Sequence, residues 1–133
     1  MSFLLDTDTC VFWLKGNKNV EKKALTVGLD ELYISFVTLS ELYYGAYKSQ
    51  RMNENLSNIK TLESKIGRID SDHEACETFG KLKAVLVSQG KIIDDADIFI
   101  ASCALVTNST LVTNNEKHFK RIKGLKIENW LHI

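Results

Sequence analysis

Along the chain, short apolar runs alternate with stretches in which apolar residues recur every three or four positions. Phe3-Leu4-Leu5 is an unbroken apolar run closed by Asp6 and reads as a buried strand. Residues 9–14 read as a helix closed near Gly16, and residues 20–27 as a second helix. The clearest strand is 32–37, Leu-Tyr-Ile-Ser-Phe-Val, rich in β-branched and aromatic side chains. A helix follows at once, with Leu39, Leu42, Tyr43 and Ala46 on one face. Leu56, Ile59, Leu62 and Ile66 repeat at helical spacing, as do Ala75, Phe79, Leu82 and Leu86 after a short strand at 68–70. Gly90 stops the latter helix. Residues 95–106 are apolar nearly all round, the mark of a helix packed deep against a sheet. Strands are expected at 110–113 and at 126–128. The alternation predicts an α/β fold, a mostly parallel central sheet flanked by helices, in a single domain spanning 1–133.

Crossover connections in such a sheet bring strand C-termini and the helix N-termini that follow them to one edge, where α/β ligand sites form. Acidic and polar residues recur at those points. Asp6 follows the first strand, Glu41 opens the helix after the second, Asp97 opens the buried helix, and Asn115-Glu116 follow the strand ending at Thr113. Carboxylates gathered in one place repel one another and raise each other's pKa unless a cation intervenes. Oxygen ligands with open positions suit Mg²⁺ or Mn²⁺, and phosphodiester hydrolysis is the chemistry such an ion supports. Taken singly, each acid also has a structural reading. Glu41 lies three residues after Thr38, the spacing of a capping box. Asp94, Asp95 and Asp97 could complement the dipole of a helix start. Asp6 resists that reading, because a carboxylate ending a buried strand is costly unless it is paired or bound to metal.

Composition narrows the alternatives. Seventeen Lys and Arg balance seventeen Asp and Glu, so no global field draws the chain to nucleic acid or an anionic membrane. Binding of that kind must come from a local patch. Lys117, Lys120, Arg121, Lys123 and Lys126, with no acid between 117 and 126, form one candidate strip for phosphate contact. The three cysteines include no C-x-x-C pair, which argues against a disulfide framework or a zinc site and suits a reducing cytosol. All three, Cys10, Cys76 and Cys103, are expected to be buried thiols. The N-terminal apolar run is too short and not basic enough for a signal peptide, and residues 107–110 break the uncharged run 98–115 before it could span a membrane. A cytoplasmic protein is expected. His73, His118 and His132 lack metal-ligand spacing and receive no catalytic role. The helices after Asp8 and Ser40 carry more aromatic residues than one inward stripe needs: Phe12, Trp13, Tyr43, Tyr44 and Tyr47 suggest a surplus face for a subunit or a partner helix.

Four blocks in order carry a family resemblance: Leu4-Leu5-Asp6-Thr7-Asp8, residues 40–46 (Ser-Glu-Leu-Tyr-Tyr-Gly-Ala), residues 95–101 (Asp-Ala-Asp-Ile-Phe-Ile-Ala), and Leu111-Val112-Thr113-Asn114-Asn115 with Phe119 and residues 124–130. Together they resemble a PIN domain of the VapC toxin type over nearly the whole chain. The resemblance implies a three-layer PIN-like fold and a Mg²⁺-dependent endoribonuclease, with Mn²⁺ as an alternative ion. It also implies the toxin of a type II toxin–antitoxin pair, acting on tRNA or another structured cellular RNA. Such a toxin works as a homodimer and is neutralised by a cognate VapB-like antitoxin. By position, Asp6, Glu41 and Asp97 match the family's metal-binding acids and Thr113 its supporting hydroxyl. The departure is Asn115, where many members carry a fourth Asp, and Glu116 is the adjacent acid that could compensate. Two other readings remain open at this point. Asp6-Thr7-Asp8-Thr9 after an apolar strand resembles the nucleophile motif of a haloacid-dehalogenase-like phosphatase, with Asp6 attacking phosphorus. A catalytically inert RNA- or partner-binding module on the same fold is the other.

Overall fold

A three-residue strand holds the centre of the molecule because it is apolar on both sides. The computed structural model describes residues 1–70 and 73–132. Within them the chain runs β1 Phe3–Leu5, α1 Thr7–Leu14, α2 Lys18–Val27, a 3-10 turn Leu29–Glu31, β2 Leu32–Ser35, α3 Phe36–Tyr47 and α4 Met52–Lys65. It continues through β3 Gly67–Ile69, α5 His73–Ser88, α6 Asp95–Val106, β4 Thr110–Val112, α7 Glu116–Phe119 and β5 Ile127–Glu128. The strands form one sheet in the order β3-β2-β1-β4-β5, with every pairing parallel.

Pleating sends Phe3 and Leu5 to one face of the sheet and Leu4 to the other. With Leu32, Ile34 and Val112, the first pair meets Cys10, Val20, Ala24, Leu42, Ala46, Ile59 and Leu62 from α1 to α4. Leu4 and Leu111 meet Ala75, Leu86, Ile98, Ala101, Cys103 and Phe119 from α5, α6 and α7. The sheet is thus covered on both faces, the condition under which parallel strands read as continuous apolar runs. Each leucine-sized side chain so buried contributes about 1.5–3 kcal/mol. No helix among the described residues is long and apolar enough to cross a membrane.

Most expected elements form, and the differences have local causes. The strand expected over 32–37 ends at Ser35, because the Ser35 hydroxyl accepts the Thr38 N–H at 3.1 Å and caps α3. Phe36 and Val37 are therefore helical despite their β propensity, and the Phe36 ring meets Phe99 edge-on at 6.1 Å. The capping-box reading of Thr38 and Glu41 falls with it: the cap lies three residues earlier, and Glu41 sits mid-helix rather than opening it. In α1, Asp6 caps by accepting the Thr9 N–H at 2.9 Å, which starts the helix at Thr7 rather than at residue 9. Cys10 and Cys103 are fully buried, but Cys76 is exposed. It follows Ala75 on α5, about 100° around the helix from the buried face. Gly90 ends the turn after α5 at φ +69°, where an L side chain would be strained.

Gly67 is required for a different reason. It pairs with Tyr33 across β2 and β3, and a Cβ there would lie 2.5 Å from the Tyr33 ring. Gly67→Ala should destabilise the fold by about 1–3 kcal/mol, the usual cost of overpacking, read as a lower urea midpoint. In a Tyr33→Ala background the increment should largely vanish, and equal increments in both backgrounds would refute the clash.

Candidate active site

The strand order places the topological switch point between β1 and β4, where the chain leaves β1 in opposite directions along the sheet. A cavity of about 280 Å³ opens there, lined by Asp6, Thr7, Asp8, Glu41, Asp94, Asp97, Asn115, His118 and Phe119. Asp6 and Asp8 arrive at the end of β1 and the start of α1, Glu41 from α3, Asp94 and Asp97 from the start of α6, and Asn115 and His118 from the turn after β4. Four of the five residues expected to hold a metal, Asp6, Glu41, Asp97 and Asn115, are thus brought together. Glu116 is not among the lining residues. Its Oε2 accepts a hydrogen bond from the Asn129 amide at 3.1 Å, which turns it away toward the chain's C-terminal turn.

Asp6 is the most deeply set acid, with 4% of its surface exposed. Burial raises its pKa above the ordinary carboxylate value, while hydrogen bonds from the Thr113 hydroxyl and from Thr9 partly offset the rise. Thr113 is itself fully buried at the end of β4 and accepts the Asn115 N–H at 2.9 Å, so one hydroxyl ties the first acid to the turn that carries Asn115. Burial, followed by the charges of Asp6, Asp94 and Glu41, lifts the Asp97 pKa from 3.8 to about 6, and His118 pulls it slightly back. Glu41 accepts the Thr7 hydroxyl at 2.6 Å, and that hydroxyl also lies 3.2 Å from the Thr38 hydroxyl. Among the described residues, neither helix-cap duty nor an ion pair with a basic side chain accounts for Glu41. Asp94 occupies the N-cap position of α6 without making a side-chain cap bond, whereas Asp95 pairs with Lys83 at 3.0 Å outside the cavity.

Five carboxylates therefore line one cavity whose lining contains no Lys or Arg. Charge of one sign held in place this way is what a divalent cation neutralises. Among the described residues, no three His, Cys, Asp or Glu side chains stand close enough to form a closed metal cage. Mg²⁺ does not need one, since it keeps several waters and is usually held by one or two carboxylates plus a substrate phosphate. The carboxylate oxygens that dominate the lining fit that ion. Sequence reasoning missed Thr7, Asp8, Asp94 and His118. The Asp6-Thr7-Asp8 run pointed to the first two. Nothing in the spacing of His118 could have placed it beside Asp97, because α7 has only four residues and its direction is set by packing of Phe119.

The same geometry makes metal-free stability depend on pH. Asp97 binds its proton more tightly folded than unfolded, so its contribution is fully present below pH 3.8 and is lost as the pH rises through about 6. The raised pKa of Asp6 acts in the same direction. In chelator, the melting temperature should fall across that window, and Asp97→Asn should flatten the slope and raise the neutral-pH value. A melting temperature that climbs with pH there, or an Asp97→Asn variant less stable than the parent at neutral pH, would contradict the repulsion.

Comparison with known proteins gives this cavity a context. Residues 3–125 match the PIN domain family. The chain is 36% identical over 130 residues to the tRNA(fMet)-specific endonuclease VapC of Shigella flexneri, with 98% of each chain covered. It is 37% identical over 132 residues to ribonuclease VapC2 of Rickettsia felis, again with 98% of each covered. Among solved structures, VapBC2 from Rickettsia felis bound to a DNA fragment from its promoter superposes with a TM-score of 0.93 at 36% identity, covering 98% of this chain and 99% of that one. DNA-bound VapBC from Salmonella typhimurium gives 0.92 at 34% identity, covering 98% of each. A match over almost all of the sequence, relatives of equal length at more than a third identity, and a shared fold together establish that the chain belongs to the PIN domain family, in its VapC group.

Proposed function

We propose that the chain is a divalent-metal-dependent endoribonuclease, the toxin of a toxin–antitoxin pair, acting on tRNA or another structured RNA. The convergence of five carboxylates on a cavity without a basic lining residue carries the reading. The ribonuclease names of its relatives agree with it. Asp6, Glu41 and Asp97, with the amide oxygen of Asn115, would hold Mg²⁺ or Mn²⁺. When bound, that ion supplies Lewis acidity to a phosphoryl oxygen and a more acidic water. Hydrogen bonds from Thr113 and from the Thr9 N–H favour the ionised form of Asp6 and fix its direction, and the Thr7 hydroxyl orients Glu41. Hydrolysis would leave a 5′-phosphate and a 3′-hydroxyl. Lys117, Lys120, Arg121, Lys123 and Lys126 are all exposed and begin one residue before His118, so a strip of phosphate contacts would run away from the cavity.

Asp6 is poorly suited to the phosphatase alternative, since a nearly buried carboxylate whose Oδ1 already caps α1 has little freedom to attack phosphorus. An inert binding module predicts no cleavage at all. Purified protein incubated with bulk tRNA and Mg²⁺ should release fragments with 5′-phosphates, and excess EDTA should stop the reaction. Asp6→Asn, which retains the cap, and Asp97→Asn should each slow cleavage by roughly 1,000-fold, the scale at which charge stabilisation is lost. Undiminished cleavage in EDTA or in Asp97→Asn would overturn the metal mechanism, and no cleavage by the parent would favour the inert module.

Association follows from a second surface. Between α1, α3 and α4 lies a cavity of about 350 Å³, lined by Val11, Leu14, Leu42, Ala46 and Ile59 together with the polar Lys15, Lys48, Ser49, Asn55 and Asn58. Glu41 lines both this cavity and the acidic one, so a VapB-like antitoxin segment seated here would reach the active site. The solved relatives named above are VapBC complexes. The aromatic surplus is only partly on the surface: Phe12 and Trp13 pack against the core and Tyr43 donates to Glu63 at 2.7 Å, but Tyr44 and Tyr47 are 67% and 62% exposed. We assign those two to a homodimer contact. Light scattering should give a dimer for the parent and a monomer for the Tyr44→Glu, Tyr47→Glu double variant. An unchanged mass would remove these tyrosines from the contact.

A further inference from the structure

The acidic cavity shares a lining residue with each of two neighbouring recesses. Glu41 leads to the one between α1, α3 and α4, and Asp94 leads to one of about 460 Å³ that has no part in the function proposed above. The floor of this second recess is apolar: Leu86 near the end of α5, Ile93 in the loop 89–94 and Ile98 in α6 are all buried. Val87 and Ile92 also line it, yet they are 65% and 85% exposed and belong to neither core cluster. Two large aliphatic side chains left in water beside a cluster of carboxylates form an apolar patch that a ligand can cover.

The rim of the recess carries surplus positive charge. Lys83 offsets Asp95 at 3.0 Å, and Asp94 stands in the wall shared with the acidic cavity. Lys91 is exposed and pairs with no acid among the described residues. Arg121 donates from its guanidinium to the Ile92 carbonyl at 3.3 Å, which brings the basic run 117–126 to the same edge. An apolar floor with cations at its outer rim, continuous with a site for phosphodiester hydrolysis, complements one nucleotide: a base for the floor and a phosphate for the rim.

We propose that this recess is the subsite for the nucleotide next to the scissile phosphate, and that it takes an unpaired one. The base covers Ile92 and Val87 against the apolar floor, while Lys91 and Arg121 meet the adjoining backbone phosphate. An A-form duplex keeps its bases stacked and offers only a shallow groove and its backbone, so it cannot fill such a recess, whereas a base splayed from a loop or a single strand can. Aliphatic side chains accept any base, so the selection is for unpaired structure and not for sequence. The subsite rests on the nuclease reading for the phosphate beside it, and it narrows the substrate to RNA that is single-stranded at the point of cleavage.

Binding separates this subsite from the chemistry. In an Asp97→Asn background with Mg²⁺, fluorescence anisotropy with labelled oligouridylate should show Ile92→Ser weakening affinity by roughly tenfold, as for loss of one aliphatic contact. Lys91→Gln should lower the slope of log affinity against log salt by about 0.7, the contribution of one phosphate contact on a single strand. Both side chains are exposed, so neither substitution threatens the fold. Ile92→Ser should make no difference to an abasic strand of the same length, nor to oligouridylate paired with oligoadenylate. Unchanged affinity for oligouridylate, or an equal loss for the abasic strand, would overturn the subsite. A change of molecular mass on Ile92→Ser in light scattering would give the patch to a second copy of the chain and overturn it as well. If the unmutated chain cleaves tRNA while Ile92→Ser binds oligouridylate normally, the subsite alone falls. A chain that neither binds nor cleaves RNA would overturn the nuclease reading and the subsite together.

Discussion

A carboxylate must sit at the buried end of the central strand, and much of the local structure serves to keep it there. Removing a charged Asp6 from water costs several kcal/mol unless hydrogen bonds replace the lost solvent. The replacements come from two directions: the Thr9 N–H from the first turn of α1, and the Thr113 hydroxyl from the end of the neighbouring strand. Thr9 in turn donates its hydroxyl to the Val112 carbonyl at 3.1 Å, which locks α1 to β4. Cap, strand pairing and acid orientation are therefore one network, and a change in any of them moves the acid.

Around that anchored group the fold concentrates like charge. Burial and the charges of Asp6, Asp94 and Glu41 disfavour ionisation of Asp97, a cost the folded protein carries. Rigidity keeps the repelling groups from separating. Glu41 is held by Thr7, and Asp97 projects from a helix buried at Ile98 and from Ile100 to Ala104.

Much of the architecture was legible in the chain. Leu4-Leu5-Asp6 announces a buried strand that ends in a charge, and periodicity located α4, α5 and α6, because these signals depend only on local spacing and on burial demanded by many apolar neighbours. The acids Asp6, Glu41 and Asp97 were recognisable because crossover topology forces strand ends to a common edge. Other features arose only from tertiary packing. Whether Ser35 or Thr38 caps α3 depends on where β2 stops pairing with its neighbours, and that decides whether Glu41 serves the helix or the cavity. Exposure of Cys76 depends on which face of α5 meets α6. The destinations of Glu116 and His118, one turned to Asn129 and the other lining the cavity, depend on the seating of Phe119 in the core. Local sequence specifies that a turn forms there, whereas the direction in which its side chains point is set by contacts with residues distant in the chain.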